Sequence, residues 1–233
     1  MMHTHTDFDA AFTTGAAFRC NSSGIVYSAG PILPLQPFRT RTGRIVICDP
    51  VDVQYFATDP LAREVAPGTY PAYLAGATFC DGGRRVTTCA KIEFSREPVA
   101  EWELAIRSSN EPDPLEPAGA GPGYQMASGV SAFAAHELVA DPNRLEFARG
   151  FLSWWDQVFK RRPEWLLGEY VDQSYPTSNV LAFISGDSDG IAIGWWGLSE
   201  RGNIAQLAID FGVLTEGLYD SDEFPLSRME RIA

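Results

Sequence analysis

The amino-acid sequence predicts an α+β fold: antiparallel β-rich meanders with one long amphipathic helix packed on the sheet. Three observations predict it. Short apolar or alternating runs, punctuated by Gly, Pro, Asn and Asp, recur through residues 43–107 and again through 179–214. Between them, residues 141–163 place apolar side chains at helical spacing. Residues 108–123 are rich in Ser, Pro, Gly and Ala, the composition of a linker or long loop. These features divide the chain into a β-rich N-terminal half (1–110), a linker or long loop (111–123), a C-terminal α+β half (124–215) and an acidic tail (216–233).

Residues 43–48 form an apolar run that Asp49-Pro50 stops, because proline lacks a ladder donor and restricts the residue before it. Pro67-Gly68 opens a strand over 70–79. Asp81-Gly82-Gly83 then supplies the positive-φ residues that reverse the chain into a strand over 84–94. In that returning strand Val86, Thr88, Ala90, Ile92 and Phe94 alternate with Arg85, Thr87, Cys89, Lys91 and Glu93, which predicts one buried face and one wet face. A further strand sets Trp102, Leu104 and Ile106 against Glu101, Glu103 and Arg107. Glu101 and Glu103 are expected opposite Lys91 and Arg85, as ordinary cross-strand charge pairs.

Asp141-Pro142 is a helix-start signal, and Leu145, Ala148, Leu152, Trp155 and Phe159 form a stripe that Pro163 ends. A second stripe of Phe147, Phe151, Trp154 and Val158 widens the apolar face, so the helix is expected to pack on the sheet. Strands follow over 179–185, 191–198 and 203–214, and both connectors, 186–190 and 199–202, carry hairpin residues.

The chain has 233 residues, 45% of them hydrophobic, which suffices for a sizeable core. Its 18 basic and 30 acidic side chains give a net charge of −12, which opposes binding to nucleic-acid phosphates. The basic group Lys160-Arg161-Arg162 falls where the helix ends, where its dipole favours cations. No apolar run approaches the roughly 20 residues that span a bilayer, and the first twelve residues do not read as a signal peptide. The expectation is a cytoplasmic protein with no membrane and no nucleic-acid partner. Cys20, Cys48, Cys80 and Cys89 contain no CxxC pair and read as reduced thiols, in preference to a Cys80–Cys89 bridge across the hairpin. His3 and His5 lie at a terminus, a poor place for a rigid metal site.

Fingerprints of nucleotide-binding loops, zinc proteases and serine hydrolases are missing. His136, in a short helical turn, is the sole candidate base outside the terminus and reads as a surface histidine. Asp187 and Asp189, in a tight loop, can join Asp210 in offering hard oxygen ligands to Ca²⁺ or Mg²⁺. The same Asp-Ser-Asp-Gly loop is also what a hairpin needs for its own backbone. Trp102, Glu103, Tyr124 and Trp196 are the candidates for a ligand surface: aromatic faces give large contact area at low entropy cost, and adjacent Trp195 and Trp196 point to opposite faces of a strand.

Read in order, several short motifs resemble the bacterial family known as domain of unknown function 4241. They are Gly43-Arg44-Ile45-Val46 running into Asp49-Pro50, Pro67-Gly68-Thr69-Tyr70-Pro71 and Trp102-Glu103-Leu104-Ala105. Gly123-Tyr124 with Ser128-Gly129, Ser185-Gly186 with Asp189-Gly190, and Asp210-Phe211 complete the set. Against that family's pattern, Met126-Ala127 replaces a Val-Asp pair, Ala134-Ala135 stands where an acidic residue follows Phe, and Ala192 replaces Tyr. The resemblance implies that a carboxylate-based site, if the family has one, is incomplete in this chain. The expected function is therefore a noncatalytic binding protein without a cofactor, directed at a basic protein partner or a small-molecule ligand, possible forms being an inhibitor or immunity protein. The competing reading is a metal-dependent hydrolase using Asp187, Asp189 and Asp210, with Glu103 as base.

Overall fold

The computed structural model describes residues 6–20, 26–51, 59–79, 83, 85–108, 123–140, 144–159, 167–170, 176–186, 190–214 and 229–232. His3, His5, Cys80, Asp187, Asp189, the 111–122 linker, Lys160-Arg161-Arg162 and most of the tail lie outside them. In chain order the elements begin α1 (Phe8–Ala11), β1 (Ala17–Cys20), β2 (Val26–Pro34), β3 (Phe38–Thr40), β4 (Ile45–Cys48), β5 (Gly68–Tyr70), β6 (Ala72–Phe79) and β7 (Arg85–Glu93). They continue β8 (Glu101–Leu104), β9 (Tyr124–Met126), β10 (Val130–Ala135), α2 (His136–Val139), α3 (Arg144–Phe159) and β11 (Leu167–Tyr170). The last are β12 (Val180–Ile184), β13 (Gly190–Leu198), β14 (Ile204–Asp210) and β15 (Met229–Ile232).

A nine-stranded sheet runs β15-β1-β2-β6-β7-β14-β13-β8, with β9 also on β13. A four-stranded sheet runs β11-β12-β10-β4, and β3 pairs with β5. Every strand pairing among the described residues is antiparallel. Strands from before and after the 109–122 segment interleave: β14 lies on β7, β13 on β8 and β10 on β4.

This architecture corrects the predicted fold class. Among the described residues the protein is β-rich, 50% strand and 11% helical, with a curled half-barrel sheet and short helices, not an α+β fold built on one long amphipathic helix. α3 covers sixteen residues, and it lies against α2 and the edge strand β11 instead of across a meander. The physical reason is that both faces of the large sheet are already covered.

One face meets the small sheet in a core that joins Ile45, Ile47, Phe133 and Phe183 to Leu74, Ile92, Trp196 and Leu207. The opposite face carries Ala75, Ala77, Cys89, Trp195 and Ala208 beneath Phe8, Ala10 and Ala11 of α1. Asp7 caps that short helix by accepting the Ala10 N–H at 2.9 Å. Phe151 of α3 joins the same core as the small sheet, with Trp154 and Trp155 packed against it at 5.3 Å and 6.1 Å between ring centres.

The same double coverage corrects the wet face expected for β7. Thr87, Thr88 and Cys89 are all buried. Between Ala75↔Cys89 and Gly76↔Thr87, β7 carries one more residue than β6, so Thr88 is a bulge. Its hydroxyl donates to the Ala75 carbonyl at 3.2 Å, and its own carbonyl accepts the Phe211 N–H at 3.1 Å. One extra residue swaps the faces beyond it. Val86 therefore faces the α1 side, while Ala90 and Ile92 face the small sheet.

Two further expectations are corrected. β8 pairs with β13, not β7, so Glu101 and Glu103 do not face Lys91 and Arg85. Lys91 instead pairs at 2.7 Å with Glu93 on its own strand. The 186–190 connector is not a hairpin, because β12 and β13 belong to different sheets. By contrast β6–β7 and β13–β14 are antiparallel neighbours, as their Gly-rich connectors predict.

Candidate functional site

The sequence-predicted ligand residues gather around β8, but their side chains divide between the faces of the sheet. Trp196 stands opposite Glu103, and Gly197 opposite Trp102. Trp196 is 1% exposed and packs in the core between the sheets, 6.1 Å from the Phe94 ring. Trp102 belongs to the other core and touches Phe8 at 4.4 Å between ring centres. Gly197 makes room for it: a Cβ there would lie 3.0 Å from Trp102 Cζ3 and 2.8 Å from Val99 Cγ2. Tyr124 is buried, its hydroxyl donates to the Ala105 carbonyl, and the Arg107 guanidinium lies 4.9 Å from its ring centre. Trp195 is buried as well, so both members of the Trp195-Trp196 pair are core, one on each side. Replacing Tyr124 with Phe is expected to cost about 1 kcal/mol of unfolding free energy, the usual worth of one buried hydrogen bond, measured by urea denaturation.

What β8 leaves on the surface is acidic. Glu101 is exposed, and Glu103 accepts a hydrogen bond from the Arg63 guanidinium, the two side chains being 40% and 41% exposed. Ile106, 42% exposed, lies two residues beyond β8. Beyond it the chain is covered again: the Ala62 N–H donates to the Ile106 carbonyl and the Ser108 N–H to the Pro60 carbonyl, each at the distance of an ordinary strand bond, 2.9 and 2.8 Å. Among the described residues β8 ends the large sheet.

Among the described residues three acids, Asp49, Glu137 and Asp210, are buried and engaged. Asp210, the described member of the predicted metal trio, is 1% exposed and accepts the Thr6 N–H at 3.0 Å and the Gly212 N–H at 2.9 Å. It stands opposite Cys89, whose thiol is pushed well up by burial and further by the Asp210 charge. Cys89 is thus a protonated, inert core thiol. Among the described residues no group of three His, Cys, Asp or Glu side chains is placed to hold a metal ion.

Two carboxylates not foreseen as site residues do similar work. Asp49 accepts the Val51 N–H at 3.0 Å, the Ser128 N–H at 2.7 Å and the Ser128 hydroxyl at 2.8 Å, tying the end of β4 to the β9–β10 turn. Glu137 of α2 accepts the Arg41 N–H at 2.6 Å, the Thr42 hydroxyl at 2.7 Å and the Ser178 hydroxyl. Burial alone would raise the Glu137 carboxyl, but the hydrogen bonds from Ser178, Thr42 and Arg41 together outweigh it and hold it below the usual range. His136, its neighbour, is held below the usual histidine range by desolvation first and the Arg44 charge next, against the pull of Glu137, Asp59 and Glu64.

Asp49-Pro50, Ser128-Gly129 and Ser185-Gly186 thus meet at one end of the small sheet: Ala132 pairs with Cys48, Val130 with Ile184, and the Ser185 N–H donates to the Gly129 carbonyl at 3.0 Å. The family model described as "Protein of unknown function (DUF4241)" matches residues 38–209. The chain belongs to the DUF4241 family. That span runs from the start of β3 to the residue before Asp210, so the DUF4241 match contains the Asp49 and Glu137 ties and leaves out α1, β1, β2 and β15. No curated protein and no solved structure matches the chain. Among the described residues no helix is long and apolar enough to cross a membrane.

Proposed function

We propose that this DUF4241 protein is a noncatalytic binding protein that recognises a basic protein partner along the β8 edge. The observation that carries this reading is the composition of that edge. Ending the large sheet among the described residues, β8 presents exposed Glu101 and half-exposed Glu103, with the exposed apolar Ile106 two residues after it. Unpaired strand edges bind extended segments of other chains through main-chain hydrogen bonds. Side-chain charge then selects among them, and the net charge of −12 favours a cationic partner and speeds its encounter. The packing of Trp102, Tyr124 and Trp196 supports a protein partner over a small stacked ligand, because their rings are turned into the two cores. The arrangement of the acids also supports binding over catalysis: Asp49, Glu137 and Asp210 each hold backbone N–H groups from distant segments.

The test is affinity capture at low and high ionic strength, followed by the double variant Glu101→Lys with Glu103→Lys. Expected is a basic partner whose capture weakens with salt and is abolished by the charge reversal, since opposed like charges cost several kcal/mol. Capture that ignores both salt and the reversal would overturn the β8 assignment.

A further inference from the structure

Ser131 and Ser185 mark a site that the hydrogen bonds of the fold do not fill. Both are buried, at 0% and 2% exposure, and among the described residues neither hydroxyl oxygen has a hydrogen-bond partner. Buried polar groups are costly to leave unmade and are rare enough to call for an explanation.

Register places the two hydroxyls together. Ser131 pairs with Phe183 on β12, and Ser185 lies two residues further along the same strand direction, hence on the same face. On the other side of β10, Ala132 pairs with Cys48, which sets Ser131 opposite Asp49. That face is the inner one: Ile47, two residues before Asp49, comes within 2.7 Å of where a Gly194 Cβ would sit on the large sheet. A carboxylate and two uncommitted hydroxyl oxygens therefore share the inner face at the end of the small sheet, Ser131 level with Asp49 and Phe183, and Ser185 two residues beyond Phe183, with Asp49 held in place by the Ser128 N–H and hydroxyl.

We infer that this end of the inner face is a binding site for a monovalent alkali cation, held by Asp49, Ser131 and Ser185. The donors are all hard oxygens, the class that alkali and alkaline-earth ions take. One carboxylate balances a single positive charge. Ca²⁺ takes about six to eight oxygen ligands, more than these three side chains supply. Hydroxyl oxygens keep lone pairs for a cation even when their protons point elsewhere, which removes the penalty of burying them.

The test is thermal unfolding of chelator-treated protein in NaCl or KCl against choline chloride of equal ionic strength. Choline controls for general screening of a chain carrying −12. A saturable rise selective for Na⁺ or K⁺, about 5–10 °C at about a hundred times the dissociation constant, is expected for the wild type. Ser131→Ala and Ser185→Ala, which keep the packing, should each lose that rise. An identical melting point in all three salts, or a rise that survives both substitutions, overturns the site and leaves a buried water as the occupant. A response to Ca²⁺ or Mg²⁺ with none to alkali ions overturns the monovalent assignment.

Discussion

Gly43→Ala is expected to lower the unfolding free energy by about 3 kcal/mol or more, as measured by urea denaturation. Gly43 sits in the left-handed region at φ +78°, and an added Cβ would lie 1.8 Å from the Val65 carbonyl oxygen. The neighbour that must move is backbone and is itself fastened, since the Val65 N–H donates to the Gly43 carbonyl at 3.0 Å. The Gly43 N–H in turn donates to the Thr40 hydroxyl at 3.0 Å. The 61–65 segment joined there also reaches both sheets, through Leu61 N–H to the Ile45 carbonyl and Ala62 N–H to the Ile106 carbonyl. Gly202→Ala separates strain from clash. Its φ is +76° with nothing within 4 Å of an added Cβ, so it should cost about 1 kcal/mol.

Glu137→Ala is expected to cost about 2–4 kcal/mol, because it orphans the Arg41 N–H and the hydroxyls of Thr42 and Ser178 at once. Glu137→Gln keeps the shape and an acceptor oxygen, and should cost less. The pH dependence follows from the direction of the shift. The folded carboxyl is held below its unfolded value, so its contribution is fully present above the unfolded value of about 4.3 and is lost as pH falls through the lower folded one. The gap in unfolding free energy between wild type and Glu137→Gln should be constant near neutral pH and close in that acid window. A gap that stays open there would contradict the assignment.

Local chemistry made the hairpins legible. Gly and Asp connectors predict the β6–β7 and β13–β14 reversals, and the run stopped by Asp49-Pro50 is β4. What failed to show was anything decided at long range. The face of β7 depends on one unpaired residue, Thr88, which no alternation pattern reveals. The helix prediction needs a free sheet face, but one face of the large sheet is closed by the small sheet and the other by α1.

The polar ties were half legible. Asp49, Ser128 and Ser185 stand out as residues of short motifs, yet they lie 79 residues apart between Asp49 and Ser128 alone. Glu137 reaches Arg41 across 96 residues, and Asp210 reaches Thr6 across 204. Sequence pattern carries the residue types, while the sheet order supplies their meeting. Trp196 and Tyr124 are buried for a related reason: aromatic side chains on a strand read as ligand surface until a second layer is known to cover them.

Buried carboxylates fasten this fold, and Asp210 tests that most directly, since it is also the described member of the predicted metal trio. The measurement is the unfolding free energy of Asp210→Asn against wild type at neutral pH, without and with added Ca²⁺ or Mg²⁺. A loss of about 1–3 kcal/mol, the same with or without the ions, is the predicted result, because an acceptor for the Thr6 or Gly212 N–H is removed. An unchanged or higher stability, with an ion-dependent increment present in the wild type and missing in the variant, would contradict it and place Asp210 in a metal site.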